Sequence, residues 1–267
     1  MLSVHPSAEE AGSAAELRGA AYLRAISFYS YPEGRSEFAA RSHRRMKADA
    51  EWEAVTAKVQ GRDEAYKELD VTCFIATVED DVDPGDAAAG VGGAVAGSRS
   101  ELLAELRSSL DASAQLPAET AAATGGSGGV GGAGCSGADG AQPGRRRRRL
   151  VVGSLDLNVG AALPSEELIG RLPQADPRTR RAYLSNVCVA PAARRLGVAR
   201  ALLRAAEAAA AGKGVEQLYV HVVADNAPAV GLYCGSMGFQ VEQTESEGFA
   251  RSLQRPRRLL LAKQLVR

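Results

Sequence analysis

Several things are missing from this sequence, and each absence excludes something. No run of 18 apolar residues occurs, so no conventional membrane-spanning helix is expected. Cysteine is sparse: Cys73, Cys135, Cys188 and Cys234 are scattered, with no CxxC pair and no histidine at ligand spacing. That argues against a disulfide framework or a zinc site, and for a reducing compartment rather than secretion. Net charge is zero, 32 Lys+Arg against 32 Asp+Glu, whereas a dedicated nucleic-acid binder is usually strongly basic. Aromatic residues make up only 5% of the chain, with one tryptophan. The first residues lack the acid-poor character of a transit peptide, since Glu9, Glu10 and Glu16 fall among them, so either none lies here or the sequence does not begin where the precursor does.

Glycine, by contrast, is plentiful, 29 residues in 267, and 15 of them fall between positions 84 and 149. Most of that stretch is Gly, Ala and Ser, with too little apolar surface to offset the entropy of ordering. The reading is a long disordered, low-complexity insert over 84–149. Within it, residues 98–112 carry Leu102, Leu103, Leu106 and Leu110 at helical spacing and predict a short amphipathic helix. The insert ends in five arginines, 145–149. A solvated charge run beside a strand is the favoured reading; a ribosomal RNA contact is the second.

Without the insert, about 200 residues remain, enough for one domain. The division expected is a flexible N-terminus over 1–12, a single domain over 13–83 and 150–267, and the insert over 84–149. Residues 16–29 and 36–59 read as amphipathic helices, the second with Phe38, Met46, Trp52 and Val55 on its apolar side. Residues 71–78, 150–159, 183–189, 217–223 and 259–265 read as strands. Helices are expected over 197–211 and 227–237. The order is α/β with mixed pairing, not an alternating doubly wound sheet.

The chemistry concentrates between positions 183 and 239. The loop Pro191-Ala192-Ala193-Arg194-Arg195-Leu196-Gly197-Val198-Ala199 opens directly into a helix. A helix N-terminus offers unpaired N–H groups and a positive dipole end to phosphate. Gly197 and Ala199 are small enough for close approach of a ligand to the backbone. Residues 178–204 hold seven arginines and no acid, a field suited to a polyanion. The loop lacks the Lys-Ser/Thr of a P-loop and the three glycines of a dinucleotide fingerprint.

The segment Arg194-Arg195-Leu196-Gly197-Val198-Ala199 resembles the R/Q-x-x-G-x-G/A signature of GNAT-type acetyltransferases. It is followed by N-x-x-A-x-x-L-Y-x-x-x-x-G-F over 226–239. The two motifs, in this order and each after a strand, cover about 55 residues. Wording close to LSNVCV, ARRLGVA and LYVHV also resembles the plastid branch that acetylates lysines and protein N-termini. The resemblance implies a GNAT-type mixed, twisted sheet with helices on both faces, acetyl-CoA as cosubstrate, no metal, and a chloroplast location with cytoplasm as the alternative.

Residue by residue, the resemblance implies that Asn186, Val187, Cys188 and Val189 lie on a splayed strand along the pantetheine arm. The N–H of Val189 would meet the developing oxyanion. Arg194, Arg195, Leu196, Gly197, Val198, Ala199 and Arg200 would cradle the pyrophosphate, and Asn226 would hydrogen-bond the cosubstrate. Tyr233 would protonate the leaving thiolate, which a phenol of ordinary pKa about 10 can do. Many relatives carry a glutamate base on the third strand; this chain has none there. Tyr183 and His221 instead resemble a Tyr/His pair that holds a relay water. Cys188 and Cys234 read as small core residues. The acceptor expected is a protein or peptide amine, an N-terminus or lysine. Small amines are the runner-up, and a CoA-regulated scaffold is the rival from outside the enzymes.

Overall fold

In a computed structural model, the protein is described over residues 6–31, 34, 36–81, 99–110, 114–116, 147–161, 163 and 180–265. Helix α1 spans Ala14–Phe28. It starts in a reciprocal cap: Glu16 N–H donates to Ser13 Oγ (3.2 Å) and Ser13 N–H donates to the Glu16 carboxylate (2.9 Å), so two terminal donors are satisfied at once. Leu17, Ala20, Ala21 and Leu23 are buried along it. Helix α2, Glu37–Val59, begins at Ser36 and packs on α1. Of the four apolar residues expected to face inward on α2, Val55 is buried and Trp52 is partly so, but Phe38 and Met46 stand 83% and 58% exposed. The packed side of α2 is made instead by the small residues Ala40 and Ala48 together with Val55, so the two bulkier side chains lie outward.

The strands are β1 (Ser7–Glu10), β2 (Asp70–Asp81), β3 (Gln115–Leu116), β4 (Arg147–Gly160), β5 (Arg181–Val189), β6 (Gln217–Val223), β7 (Gln240–Thr244) and β8 (Arg258–Gln264). They form one sheet in the order β1-β2-β4-β5-β6-β8-β7, with β3 pairing onto β4. All pairs are antiparallel except β5 with β6. The mixed α/β architecture is therefore as expected. Two helices mark its two faces. α1 reaches Ser154 and Asp156 of β4 through Arg24, while α4 (Val198–Gly212) packs on Gly153 from the other side.

Differences from expectation lie at the ends and in the middle. Ser7–Glu10 form an edge strand where a flexible terminus is expected, because their backbone completes the ladder beside Phe74–Thr77. The segment between β2 and β4 is not structureless throughout: α3 (Arg99–Ser109) is docked, with Leu103, Leu106 and Leu110 buried and Arg107 paired to the buried Asp80 (2.5 Å). β4 begins three residues before the expected start, taking in Arg147, Arg148 and Arg149 opposite Asp81, Asp80 and Glu79. Arg149 also pairs with Glu9 and Glu16. The strand thus extends into the arginine run where the backbone ladder continues and acidic neighbours hold Arg149. Arg145, Arg146, Cys135 and residues 84–98 and 117–144 lie outside the described residues.

Candidate active site

β5 and β6 run parallel and pair only from Arg181↔Gln217 to Leu184↔Val220. Beyond that the strands part, leaving Ser185–Val189 of β5 unpaired on the β6 side. The parting has a local cause. Asn186 sits at φ +54°, and the register with β4 skips between Ser154 and Asp156, a bulge that bends β5. Asparagine tolerates the left-handed region better than most residues. Its side chain is held there by donating to Asp156 Oδ2 (2.8 Å). Asp156 in turn accepts from Arg24 (2.5 Å), and this pair is 1% exposed on each side. Arg24 also donates to Ser154 Oγ (3.0 Å). Sequence reading placed Asn186 on the splayed strand but gave its side chain no part, and it did not place Arg24 or Asp156 at the site. Their significance comes from contacts across 130 residues of chain, which no local pattern carries.

Val187, Cys188 and Val189 occupy the splayed part of β5. Ala190 N–H donates to Val152 O on β4 (2.9 Å). Because successive strand N–H groups alternate in direction, the Val189 N–H points the other way, into the gap. Cys188 is buried and its thiol is pushed up to about 11 by burial; Cys73 is likewise raised to about 12. Both are inert packing residues, and thiolate chemistry is disfavoured.

The gap leads to the N-terminus of α4. Residues 191–193 form one turn of 3-10 helix; then Arg195 (φ +67°) and Gly197 (φ +84°) both adopt left-handed backbone. Alternating backbone of this kind turns successive N–H groups to one side, an anion-binding nest. Gly197 is the N-cap and no side chain caps the helix. A Cβ added at Gly197 would meet open space, so the requirement for glycine is backbone conformation and access. Leu196, Val198, Ala199 and Arg200 complete the turn, with Arg194, Arg195, Arg200 and Arg204 exposed around it. The field is narrower than the seven arginines of the sequence imply. Arg180 donates to Lys213 O (2.5 Å) and Arg181 to Ala161 O, both at the far end of β5, and Arg178 lies outside the described residues.

Across the gap, Asn226 caps α5 (Ala227–Val230) by accepting from Ala229 N–H (3.2 Å), which leaves its Nδ2 donor for a ligand. The helix expected over 227–237 does not continue regularly; Gly231–Ser236 form a π turn, a widening common at functional sites. Met237 N–H donates to Leu232 O (3.0 Å) and Phe239 N–H to Tyr233 O (3.0 Å). Tyr233 is buried in this turn with its ring edge-on to Phe239 at 5.5 Å. Burial, and then the nearby Tyr183, hold its phenol above the usual value, so it remains protonated.

Tyr183 Oη and His221 Nδ1 are 2.8 Å apart, a direct hydrogen bond rather than a pair spanned by water. His221 Nε2 is buried without a hydrogen-bond partner among the described residues. Burial first, and then the positive charge of Arg258, lower the imidazole to about 4. Next to it lies a charge cluster that sequence reading missed. Glu245 is buried and accepts from Arg255 (2.7 Å through Nη1, and again through Nη2) and from the Arg258 N–H (3.0 Å). The Arg258 side chain is 3.8 Å from Glu245, and its Nε and Nη2 have no hydrogen-bond partner. No cluster of metal-ligating side chains occurs among the described residues.

Residues 152–239 match the Acetyltransferase (GNAT) family. The chain is 46% identical over 114 residues to "GCN5-related N-acetyltransferase 7, chloroplastic" of Arabidopsis thaliana, covering 42% of this chain and 41% of that protein. It is 39% identical over 102 residues to "GCN5-related N-acetyltransferase 6, chloroplastic" of the same plant, covering 35% of each. The match thus spans less than half the length of these curated relatives. A loose structural likeness extends to the PaiA N-acetyltransferase of Thermoplasma acidophilum in complex with coenzyme A (14% identity, 97% of this chain and 99% of that one, TM-score 0.44).

Proposed function

We propose, from the match of residues 152–239 to the Acetyltransferase (GNAT) family, that the protein transfers the acetyl group of acetyl-CoA directly to a primary amine, and that its acceptor is a peptide or protein α-amine. The observation that carries this is the parting of β5 from β6 immediately beside the uncapped α4 N-terminus. The gap takes a pantetheine arm along Val187, Cys188 and Val189. The nest over 194–200 takes a pyrophosphate, helped by the exposed arginines, and Asn226 Nδ2 adds a donor.

The amine nitrogen attacks the thioester carbonyl, a C–N bond forms, and the C–S bond breaks. The Val189 N–H donates to the oxyanion. Tyr233, protonated and dry, gives its proton to the departing thiolate. The Tyr183–His221 pair takes the amine's proton once the C–N bond has formed and the nitrogen has become strongly acidic.

The lowered His221 bears on the choice of acceptor. An imidazole held near 4 is too weak to strip an ammonium, so the amine must arrive neutral. At pH 7.5 neutralising a lysine costs about 4 kcal/mol and an α-amine under about 1 kcal/mol. That difference favours N-termini over lysines. Small amines are the alternative acceptor, and a non-catalytic CoA-binding scaffold the alternative class. The chloroplast is the proposed compartment, after the names of both relatives. A ribosome contact through 145–149 is not part of the proposal: Arg149 is held by Glu9 and Glu16.

The test is a panel of N-terminal peptides, α-blocked lysine peptides and small amines with acetyl-CoA, read by mass spectrometry. Acetylated α-amines are expected first. Tyr233→Phe should lower kcat by about 10² or more while acetyl-CoA binding persists; an unchanged kcat would remove Tyr233 from the acid role.

A further inference from the structure

Among the described residues, the acceptor side of the site holds more positive than negative charge. Two arginines, Arg255 and Arg258, face one carboxylate, Glu245. Arg255 takes both Glu245 oxygens, whereas the Arg258 side chain stays 3.8 Å away with Nε and Nη2 buried and unpartnered. A buried guanidinium edge without acceptors is costly, and a carboxylate matches its fork geometry. Position fixes which carboxylate. Arg258 lies opposite Val223 on β6, and His221 is two residues earlier on the same face, about 7 Å along the strand. That is the span from an amine to an acidic side chain on the first or second residue of an extended peptide.

We propose that Arg258 recognises the acceptor, and that the preferred acceptor is a peptide N-terminus with Asp or Glu among its first two residues. This rests on the acetyl-transfer reading above. An acid seated there also neutralises the cation nearest His221, so binding of the right acceptor removes one cause of the imidazole's suppression.

The experiment uses full-length protein and peptide pairs identical except for Asp against Asn, or Glu against Gln, at position one or two. The wild type should favour the acidic member by about tenfold or more in kcat/KM. Arg258→Gln should bring the ratio to about one, and Arg258→Lys should keep part of it. Calorimetric binding of the same peptides to the CoA complex reads the preference even without turnover, and CoA binding itself reports folding of each variant. Equal rates and equal binding for both members of a pair overturn the inference, as does an Arg258→Gln loss that is the same for acid and amide peptides. Acetylation of amide peptides at full rate, with no acid preference, leaves the transferase reading standing and removes only the role of Arg258. Acid-selective binding without transfer to any amine does the reverse.

Discussion

At the residue scale, the buried pair Arg24–Asp156 connects stability to the site. Removing one partner leaves an unpaired charge in the core, so Arg24→Met should cost about 3–5 kcal/mol. The double variant Arg24→Met/Asp156→Leu should recover much of that in thermal melts, since an apolar pair fills the same space. It should still raise KM for acetyl-CoA severalfold, because Asn186 has lost the carboxylate that holds its left-handed backbone. A double variant with wild-type KM would detach the network from the bulge. His221 gives a second prediction. Its folded value, about 4, lies below the ordinary 6.5, so between those pH values mainly the unfolded chain binds the proton. Stability should therefore fall as pH falls through that window, by at most about 3 kcal/mol. His221→Gln should flatten that part of the profile in urea melts; an unchanged slope would show that other groups cause it. Tyr183, His221 and Tyr233 were singled out through their resemblance to acetyltransferase motifs, and the structure brings Tyr183 Oη to 2.8 Å from His221 Nδ1. Arg258 and Glu245 were not singled out, nor was the Asn186 side-chain contact, since what matters is which atoms face them across the fold.

At the element scale, the anion cradle depends on how closely α4 approaches the sheet. A Cβ at Gly153 would come within 2.6 Å of Val198 Cγ1 and 2.9 Å of Leu202 Cδ1, both on the first turns of α4 and both buried. Gly153→Ala must therefore push the helix N-terminus outward or strain the core, at about 1–3 kcal/mol. KM for acetyl-CoA should rise with it, since the nest moves with the helix. A melting loss with no change in KM would mean that the core absorbs the methyl and the cradle stays. The long apolar strands and α4 were readable as periodic patterns. β1 and β7, SAEE and QVEQT, were not, because short polar edge strands owe their form to the neighbouring ladder rather than to their own residues. The π turn around Tyr233 was hidden for a related reason: widening a helix by one residue leaves local composition unchanged.

At the scale of the whole molecule, the segment between β3 and β4 is constrained by its ends. Gln115 pairs with Leu150 and Leu116 with Arg149, so the chain leaves and re-enters the sheet at adjacent points of one antiparallel ladder. Adjacent antiparallel strands need only a few residues to connect. Replacing 117–146 with a five-residue Gly- and Asn-containing turn should therefore preserve β3, β4 and the docked α3. Closing entropy falls by about 0.6 kcal/mol for each halving of a loop, so the shortened chain should gain roughly 1–1.5 kcal/mol. The composition reading assigns no chemistry to this stretch, and every residue proposed to touch acetyl-CoA or the acceptor lies at position 183 or beyond. Acetyl transfer should then match wild type within about twofold. A shortened chain that melts higher but loses transfer would give the segment a part in acceptor binding. One that melts lower would mean that residues 117–146 contribute packing of their own, contrary to a Gly- and Ala-rich composition with little to bury.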